Sequence, residues 1–99
     1  MIKHIVTWKL KAEDVSTKAA SMTAIRDALE PLAGVIEGIR SLTIHANVAF
    51  PDTNWDVVLL SEFDSLEALE AYQTHPAHMV AAGVAREHVT ERASIDVEA

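Results

Sequence analysis

The run Val57-Val-Leu-Leu60 restricts the fold of this chain more than any other feature of the sequence. Side chains alternate between the two faces of a strand, so four consecutive apolar residues make both faces apolar. A strand of this kind lies in the middle of a sheet that is covered on both sides. Helices are expected to cover one face. A second apolar surface must then cover either Val57 and Leu59 or Val58 and Leu60 on the other face.

Apolar periodicity divides the rest of the chain into further strands and helices. Alternation of apolar and polar residues predicts strands at 2–10, 39–48, 55–63 and 87–97. Spacings of three and four predict helices at 15–32, from about 64 to 74, and at 76–84. The order β-α-β-β-α-α-β favours an α+β fold, a ferredoxin-like sandwich with one four-stranded antiparallel sheet and helices on one face.

The starts of two helices carry recognisable capping residues. Asp14 or Ser16 can cap the first helix, because either side chain can accept a hydrogen bond from a nearby backbone N–H. The segment Asp64-Ser-Leu-Glu67 is typical of a capping box, with Asp64 in the cap position. Pro31 is expected to weaken the last turn of the first helix, since proline has no N–H.

The sheet face that no helix covers predicts a partner. A large exposed apolar face is unfavourable in water, and the same face of a second copy is the simplest cover. Two sheets stacked face to face about a two-fold axis would cover both apolar faces in a symmetric dimer. We therefore expect a homodimer through the open sheet face.

Composition and charge narrow the range of functions. The 99 residues suffice for one domain, predicted to span residues 1–99, and the absence of cysteine excludes disulfides and thiolate sites. A net charge of −7 argues against binding of nucleic acid. No apolar run approaches the roughly 20 residues of a membrane span, and the first residues lack the pattern of a signal peptide. We expect a cytoplasmic protein with no nucleic-acid or membrane partner.

The run Ala71-Tyr-Gln-Thr-His-Pro-Ala-His-Met79 carries the residues best suited to chemistry. Pro76 suits the first position of a helix, and it pushes the preceding His75 out of the helical conformation. His75 is therefore expected to cap a helix that has His78 in its first turn. The positive end of the helix dipole disfavours an imidazolium there, so His78 is expected to be neutral and able to act as a base.

The residues by themselves leave more than one interpretation of Tyr72 and His78. His78 could take a proton from an activated carbon while Tyr72 donates a hydrogen bond to the developing enolate. The pair could instead form a structural hydrogen bond between two helices, or bind a ligand without turnover. No metal site is expected, because Pro76 and the cap turn His75 away from His78. No flavin, haem or glycine-rich phosphate motif is present, so no cofactor is expected.

Three stretches of the chain resemble the stress-responsive dimeric α/β-barrel (A/B barrel) domain family. They are Ile2-Lys-His-Ile-Val-Thr-Trp-Lys-Leu-Lys11, Glu62-Phe-Asp-Ser-Leu-Glu67 and Tyr72-Gln-Thr-His-Pro-Ala-His78. The resemblance covers essentially the whole chain, and it implies a homodimer in which two four-stranded sheets form a shared barrel. Members of the family include plant stress-induced proteins and a plant polyketide cyclase, which closes an aromatic ring without a cofactor.

The resemblance to the cyclase also implies roles for individual residues. The tyrosine and the second histidine of its Tyr-x-x-His-Pro-x-His run carry the chemistry, and they match Tyr72 and His78. A histidine that lines the cyclase pocket matches His4. The expected catalytic residues are therefore His78 and Tyr72. The expected substrate contacts are His4, Val6, Trp8, His75 and Met79.

Two positions differ from the cyclase. Val57 stands where the cyclase has a histidine on its third strand, and Trp8 stands where it has a smaller aliphatic residue. If Trp8 points toward the helices, it could fill the cavity that a substrate needs. A cavity that reaches His78 would favour chemistry, whereas a cavity plugged by Trp8 would favour a structural role.

These observations lead to hypotheses of different classes. The first is a small homodimer that binds an apolar or aromatic metabolite and carries out cofactor-free acid–base chemistry of the cyclase type. The alternative is a non-enzymatic stress or stability protein in which the Tyr/His run is structural. A third hypothesis, an oxygen-dependent monooxygenase of related fold, rests on fold analogy.

Overall fold

Four antiparallel strands form one sheet, and helices cover one face of it, in this computed structural model of residues Met1–Ala99. The strands are β1 (Ile2–Leu10), β2 (Ile39–Ala46), β3 (Val57–Phe63) and β4 (Val89–Glu98). The helices are α1 (Val15–Leu29), α2 (Leu66–Thr74) and α3 (Pro76–Arg86), with a 3₁₀-helix at Glu30–Gly34. The strand order β2-β3-β1-β4 confirms the predicted ferredoxin-like α+β sandwich.

The register of the two central strands decides which residues enter the core. Val6 of β1 pairs with Leu59 of β3. Both side chains are buried and point toward the helices. Trp8 pairs with Val57 on the same side. Ile25 of α1 belongs to the same buried cluster. Removal of these side chains from water supplies the main favourable contribution to folding.

The other face of the sheet carries an apolar row that no helix covers. Ile5 of β1 pairs with Leu60 of β3 and with Ile95 of β4, so the three side chains share one row. Leu60 keeps 42% of its surface exposed, and Ile95 keeps 59%. Of the two alternatives for the third strand, the structure selects the one with Val58 and Leu60 on the open face.

A register shift changes the faces of β4. Val89 pairs with Leu10, whereas Glu91 pairs with the adjacent Lys9, so Thr90 is an extra residue between them. The shift leaves Val89 on the helix side of the sheet. Beyond it, the apolar odd-numbered residues of β4 lie on the open face and the polar even-numbered residues lie on the helix side.

The loop between β2 and β3 is longer than the sequence pattern indicated. β2 ends at Ala46 and β3 begins at Val57. The N–H of Asn47 donates to the carbonyl of Asp56 (2.8 Å), which joins the two ends of the loop. Val48, expected in the second strand, is 96% exposed.

The helices also end at residues other than those expected. α1 stops at Leu29, and Pro31 lies in the 3₁₀-helix, since proline has no N–H to continue the α-helical bonding. α3 continues to Arg86, and the N–H groups of Glu87 and His88 close it with hydrogen bonds to carbonyls of its last turn. The longest helix, α1, has 15 residues, and none of the helices combines the length and apolarity needed to cross a bilayer.

Asp14 and Ser65 are the residues that cap α1 and α2. Asp14 accepts a hydrogen bond from a backbone N–H in the first turn of α1 (2.7 Å). Ser65 accepts one from the N–H of Ala68 (3.1 Å), so the expectation that Asp64 caps α2 is wrong. The Asp64 carboxylate is drawn away from the helix by Nε of Arg40, at 2.6 Å.

Replacement of Ser65 by alanine tests the observed cap. Ser65→Ala removes the acceptor for the N–H of Ala68, and loss of an N-cap lowers the free energy of unfolding by about 1 kcal/mol. Asp64→Asn is the matched control, because it disturbs only a surface ion pair, which is worth at most about 1 kcal/mol. Urea unfolding followed by circular dichroism measures both changes. A larger loss for Asp64→Asn than for Ser65→Ala would contradict the assignment.

Candidate active site

His4 lies on the helix side of β1 with only 4% of its surface exposed. Its Nδ1 donates a hydrogen bond to Oδ1 of Asp96 at 2.5 Å, and Asp96 is directly opposite His4 in the β1–β4 register. The hydroxyl of Ser61 donates to the carbonyl of His4 (2.7 Å). Because a carboxylate can only accept, Asp96 directs the Nδ1–H of His4 and sets the orientation of the ring.

His75 separates α2 from α3. Its backbone is extended (φ −64°, ψ 135°), and its Nδ1 accepts a hydrogen bond from the N–H of Ala77 at 3.0 Å. Pro76 follows as the first residue of α3, where a missing N–H has no cost. The predicted capping role of His75 is confirmed. The break in the chain places His78 in the first turn of α3, beside the end of α2.

His78 is oriented by the last turn of α2. Its Nδ1 donates to the carbonyl oxygen of Gln73 at 3.1 Å. Since a carbonyl only accepts, the proton lies on Nδ1, and Nε2 of the neutral ring keeps the lone pair that a base requires.

Burial is the main reason why the pKa of His78 lies below its ordinary value of 6.5. The hydrogen bond to Gln73 opposes this shift, whereas His4, Arg92 and Arg86 reinforce it by electrostatic repulsion of the imidazolium. The ring is therefore mostly neutral at pH 7. The sequence predicted the same direction from the helix dipole, but burial is the larger cause.

Tyr72 is the central ring of the site, with 1% of its surface exposed. Its ring centroid lies 4.2 Å from that of His78 and 4.9 Å from that of Phe63, while His4 is at 6.3 Å. Burial raises the pKa of Tyr72 to about 12, against a smaller opposing effect of Arg92. The phenol therefore keeps its proton at neutral pH and can only act as a hydrogen-bond donor or acid there.

The Tyr72 hydroxyl faces open space rather than a protein partner. The hydroxyl takes part in no side-chain hydrogen bond. Every fully buried polar side-chain atom of the protein nevertheless has a hydrogen-bond partner. The Tyr72 hydroxyl is therefore not fully buried, because it lies on the wall of a cavity that Tyr72 lines. The bond that ties α2 to α3 is made by His78 and the Gln73 carbonyl, not by the phenol.

A cavity of about 340 Å³ lies between the sheet and the helices. Such a volume is at the lower end of the roughly 300–1,000 Å³ typical of small-molecule sites. The residues expected at the site that line it are His4, Val6, Trp8, Tyr72 and His78. Trp8 forms part of the wall without filling the space, so the cavity reaches both Tyr72 and His78.

Two expected substrate contacts, His75 and Met79, are not among the residues that line the cavity. His75 is occupied as the cap of α3. Met79 is 62% exposed, because it follows His78 on α3 and the helical rotation of about 100° per residue turns it outward.

Sequence reasoning missed several polar residues of the site. Gln73, Arg86 and Arg92 line the cavity, and Asp96 holds His4 at its edge. Arg92 and Asp96 lie opposite Trp8 and His4 in the β1–β4 register. Pairing the last strand with the first in this register would have found them. No group of three or more histidine, aspartate or glutamate side chains is placed to hold a metal ion.

The sequence model of the stress responsive A/B barrel domain family matches residues 2–99 of this chain. The chain belongs to this family. No curated protein matches the sequence. A dimeric ferredoxin-like protein of unknown function from Bacteroides fragilis is 36% identical, with a TM-score of 0.85 over 98% of this chain and 94% of that one.

Two more distant structures share the fold of this A/B barrel domain. A protein from Arabidopsis thaliana is 21% identical, with a TM-score of 0.82 over 100% of this chain and 95% of that one. The hydroxynitrile lyase of Passiflora edulis is 12% identical, with a TM-score of 0.73 over 97% of this chain and 90% of that one.

The ionisation of Tyr72 can be measured directly because it is the single tyrosine of the chain. We expect tyrosinate absorbance to appear with a midpoint near pH 12 in the folded protein, because burial disfavours the charged phenolate. Between about pH 10 and that midpoint, the unfolded state loses the proton first, so the free energy of unfolding falls as pH rises.

The denatured chain is the control for this titration, and its midpoint should return to about 10. Tyr72→Phe should remove this part of the alkaline loss of stability. A folded-state midpoint at or below that of the denatured chain would contradict the buried environment of the phenol.

Proposed function

We propose that this A/B barrel protein binds an apolar or aromatic small metabolite in its cavity and transfers a proton on it without a cofactor. The observation that carries this proposal is that a protonated phenol and a neutral imidazole, those of Tyr72 and His78, line one cavity with their rings 4.2 Å apart. The apolar part of the lining, including Val6 and Trp8, suits an apolar body.

In the first step, Nε2 of His78 takes a proton from a carbon next to a carbonyl. The C–H electron pair forms a C=C bond, and the carbonyl π pair moves to oxygen. Tyr72 donates a hydrogen bond to that oxygen as its charge develops. The raised pKa of Tyr72 keeps the donor proton in place during this step.

In a ligand with a second carbonyl within reach, the enolate carbon attacks that carbonyl and closes a ring. The alkoxide that results takes the proton from the His78 imidazolium, which returns the base to its neutral form. Atoms and charge balance without an added reagent. Asp96 would act through His4, because it orients a ring that forms one wall of the cavity.

A non-enzymatic role is the second candidate. The hydrogen bond from His78 to Gln73 joins α3 to α2, and Tyr72 packs against Phe63 in the core. These contacts would have value in a protein that only needs to be stable. They do not use the Tyr72 hydroxyl, however, and a phenylalanine would pack as well.

Substitution of the two residues distinguishes these functions. Exchange of the methylene protons of benzoylacetone for deuterium, followed by NMR, reports proton abstraction. Under the catalytic proposal, His78→Ala should slow exchange by about 10²-fold or more, and Tyr72→Phe should slow it while leaving the melting temperature unchanged. The hydroxyl has no protein partner, so its removal leaves no buried group unsatisfied.

His75→Asn is the matched control for the histidine substitution. Asparagine is a favoured N-cap, and His75 does not line the cavity, so exchange should stay at the parent rate. Equal exchange in the parent and in His78→Ala would overturn the catalytic proposal. A loss of stability in His78→Ala at an unchanged exchange rate would favour the structural role, because His78 joins α3 to α2.

We also propose that the protein is a homodimer through the open sheet face. The uncovered row of Ile5, Leu60 and Ile95 supports this, since a contiguous exposed apolar patch marks an interaction site. The relative from Bacteroides fragilis, which is 36% identical, is dimeric.

Light scattering after size exclusion tests the dimer. We expect a mass of about twice 10.8 kDa for the parent. Leu60→Asp should shift the protein toward the monomer, because it buries an unpaired carboxylate in the interface. Leu66→Asp is the matched control, since Leu66 is 56% exposed at the start of α2, a helix that packs on the other face of the sheet. A monomeric parent at micromolar concentration would exclude this interface.

A further inference from the structure

Two arginines at the cavity have no carboxylate partner in an acidic chain. The protein carries fifteen acidic residues against eight basic ones, yet none of its ion pairs includes Arg86 or Arg92. Both residues line the cavity. Asp96 has a carboxylate beside the cavity, but that carboxylate accepts a hydrogen bond from His4.

The two guanidinium groups come from different elements. Arg86 ends α3, and Arg92 projects from the edge strand β4 on the helix side, opposite Trp8 in the register. Arg92 uses one Nη atom to donate to the Ser94 hydroxyl at 3.3 Å, which leaves its other donors free. Both residues are exposed, so they form the rim of the cavity while the rings of Tyr72 and His78 lie deeper.

The rim arginines are close enough to act electrostatically on the site. Both contribute to the lowered pKa of His78, and Arg92 opposes the rise that burial causes in the pKa of Tyr72. Arginine stays charged at every physiological pH, and its planar fork matches the two oxygens of a carboxylate or phosphate. The cavity therefore has an apolar and neutral interior with a positively charged entrance.

We propose that the cavity takes an anionic ligand, whose carboxylate or phosphate group is held at the rim by Arg86 and Arg92. The apolar body of the ligand lies against Val6 and Trp8. This orientation rests on the proposed function for its inner end, where a carbonyl would meet Tyr72 and His78. The rim contact itself requires only the two guanidinium groups and the cavity.

An anion at the rim would also act on the base. The groups that face His78 are Tyr72, His4, Arg86, Arg92 and the carbonyl of Gln73. Neutralisation of the two guanidinium charges removes a repulsion, so the pKa of His78 rises when the anion binds. A base whose pKa rises toward the working pH becomes a stronger proton acceptor as the ligand enters.

The test is NMR titration of the intact protein with benzoate and with its neutral analogue benzamide. Benzoate should bind more tightly than benzamide and should raise the pKa of His78. Arg92→Gln and Arg86→Gln should each weaken benzoate by about fivefold or more and leave benzamide unchanged. Arg40→Gln is the matched control, because Arg40 pairs with Asp64 and does not line the cavity. It should bind benzoate as the parent does.

Phenyl phosphate identifies the anionic group. Binding of both anions should depend on Arg86 and Arg92. If benzoate binds more tightly than phenyl phosphate, the natural group is a carboxylate. If phenyl phosphate binds more tightly, the natural group is a phosphate. Equal affinities for benzoate and benzamide, or an equal loss in Arg40→Gln, would overturn the proposal.

The fate of this proposal is separable from that of catalysis. If proton exchange is unaffected by His78→Ala while benzoate binding still depends on Arg92, the anion site stands and the catalytic proposal falls. If exchange requires His78 but benzoate and benzamide bind alike, catalysis stands and the anion site falls.

Discussion

The peptide between His75 and Pro76 is the constraint on which the geometry of the site depends. Proline disfavours a helical conformation at the residue before it, so α2 must end and α3 must restart within one residue. His75 stabilises the break by accepting the N–H of Ala77. This turn lets His78 donate a hydrogen bond to the Gln73 carbonyl in α2 and pack on the ring of Tyr72. The two rings are thus held in place by the backbone.

Burial sets the charge state of the site. In a medium less polar than water, the charged form of any group is disfavoured, so the same cause raises the pKa of Tyr72 and lowers that of His78. One ring keeps its proton and the other lacks one at neutral pH, which separates a donor from a base. The permanent charges of Arg86 and Arg92 remain at the rim, where water still solvates them.

β1 serves two surfaces at once because its side chains alternate. His4, Val6 and Trp8 line the cavity on the helix side, while Ile5 lies between Leu60 and Ile95 on the open face. The cavity and the proposed dimer interface are therefore opposite sides of one strand. The position of β4, which pairs with β1, affects both, since it supplies polar groups to one side and apolar groups to the other.

Much of the fold followed from patterns that are local in sequence. The order of the elements, the ferredoxin-like sandwich and the cap at His75 were all predicted, because periodicity and the Pro76 constraint act over a few residues. The tertiary structure alone decided that β4 turns Ala93, Ile95 and Val97 away from the core. That outcome depends on the extra residue Thr90 and on pairing between strands at opposite ends of the chain. The same pairing brought Arg92 and Asp96 to the cavity, as no pattern within β4 could indicate, because the register between distant strands is set only when the whole sheet has formed.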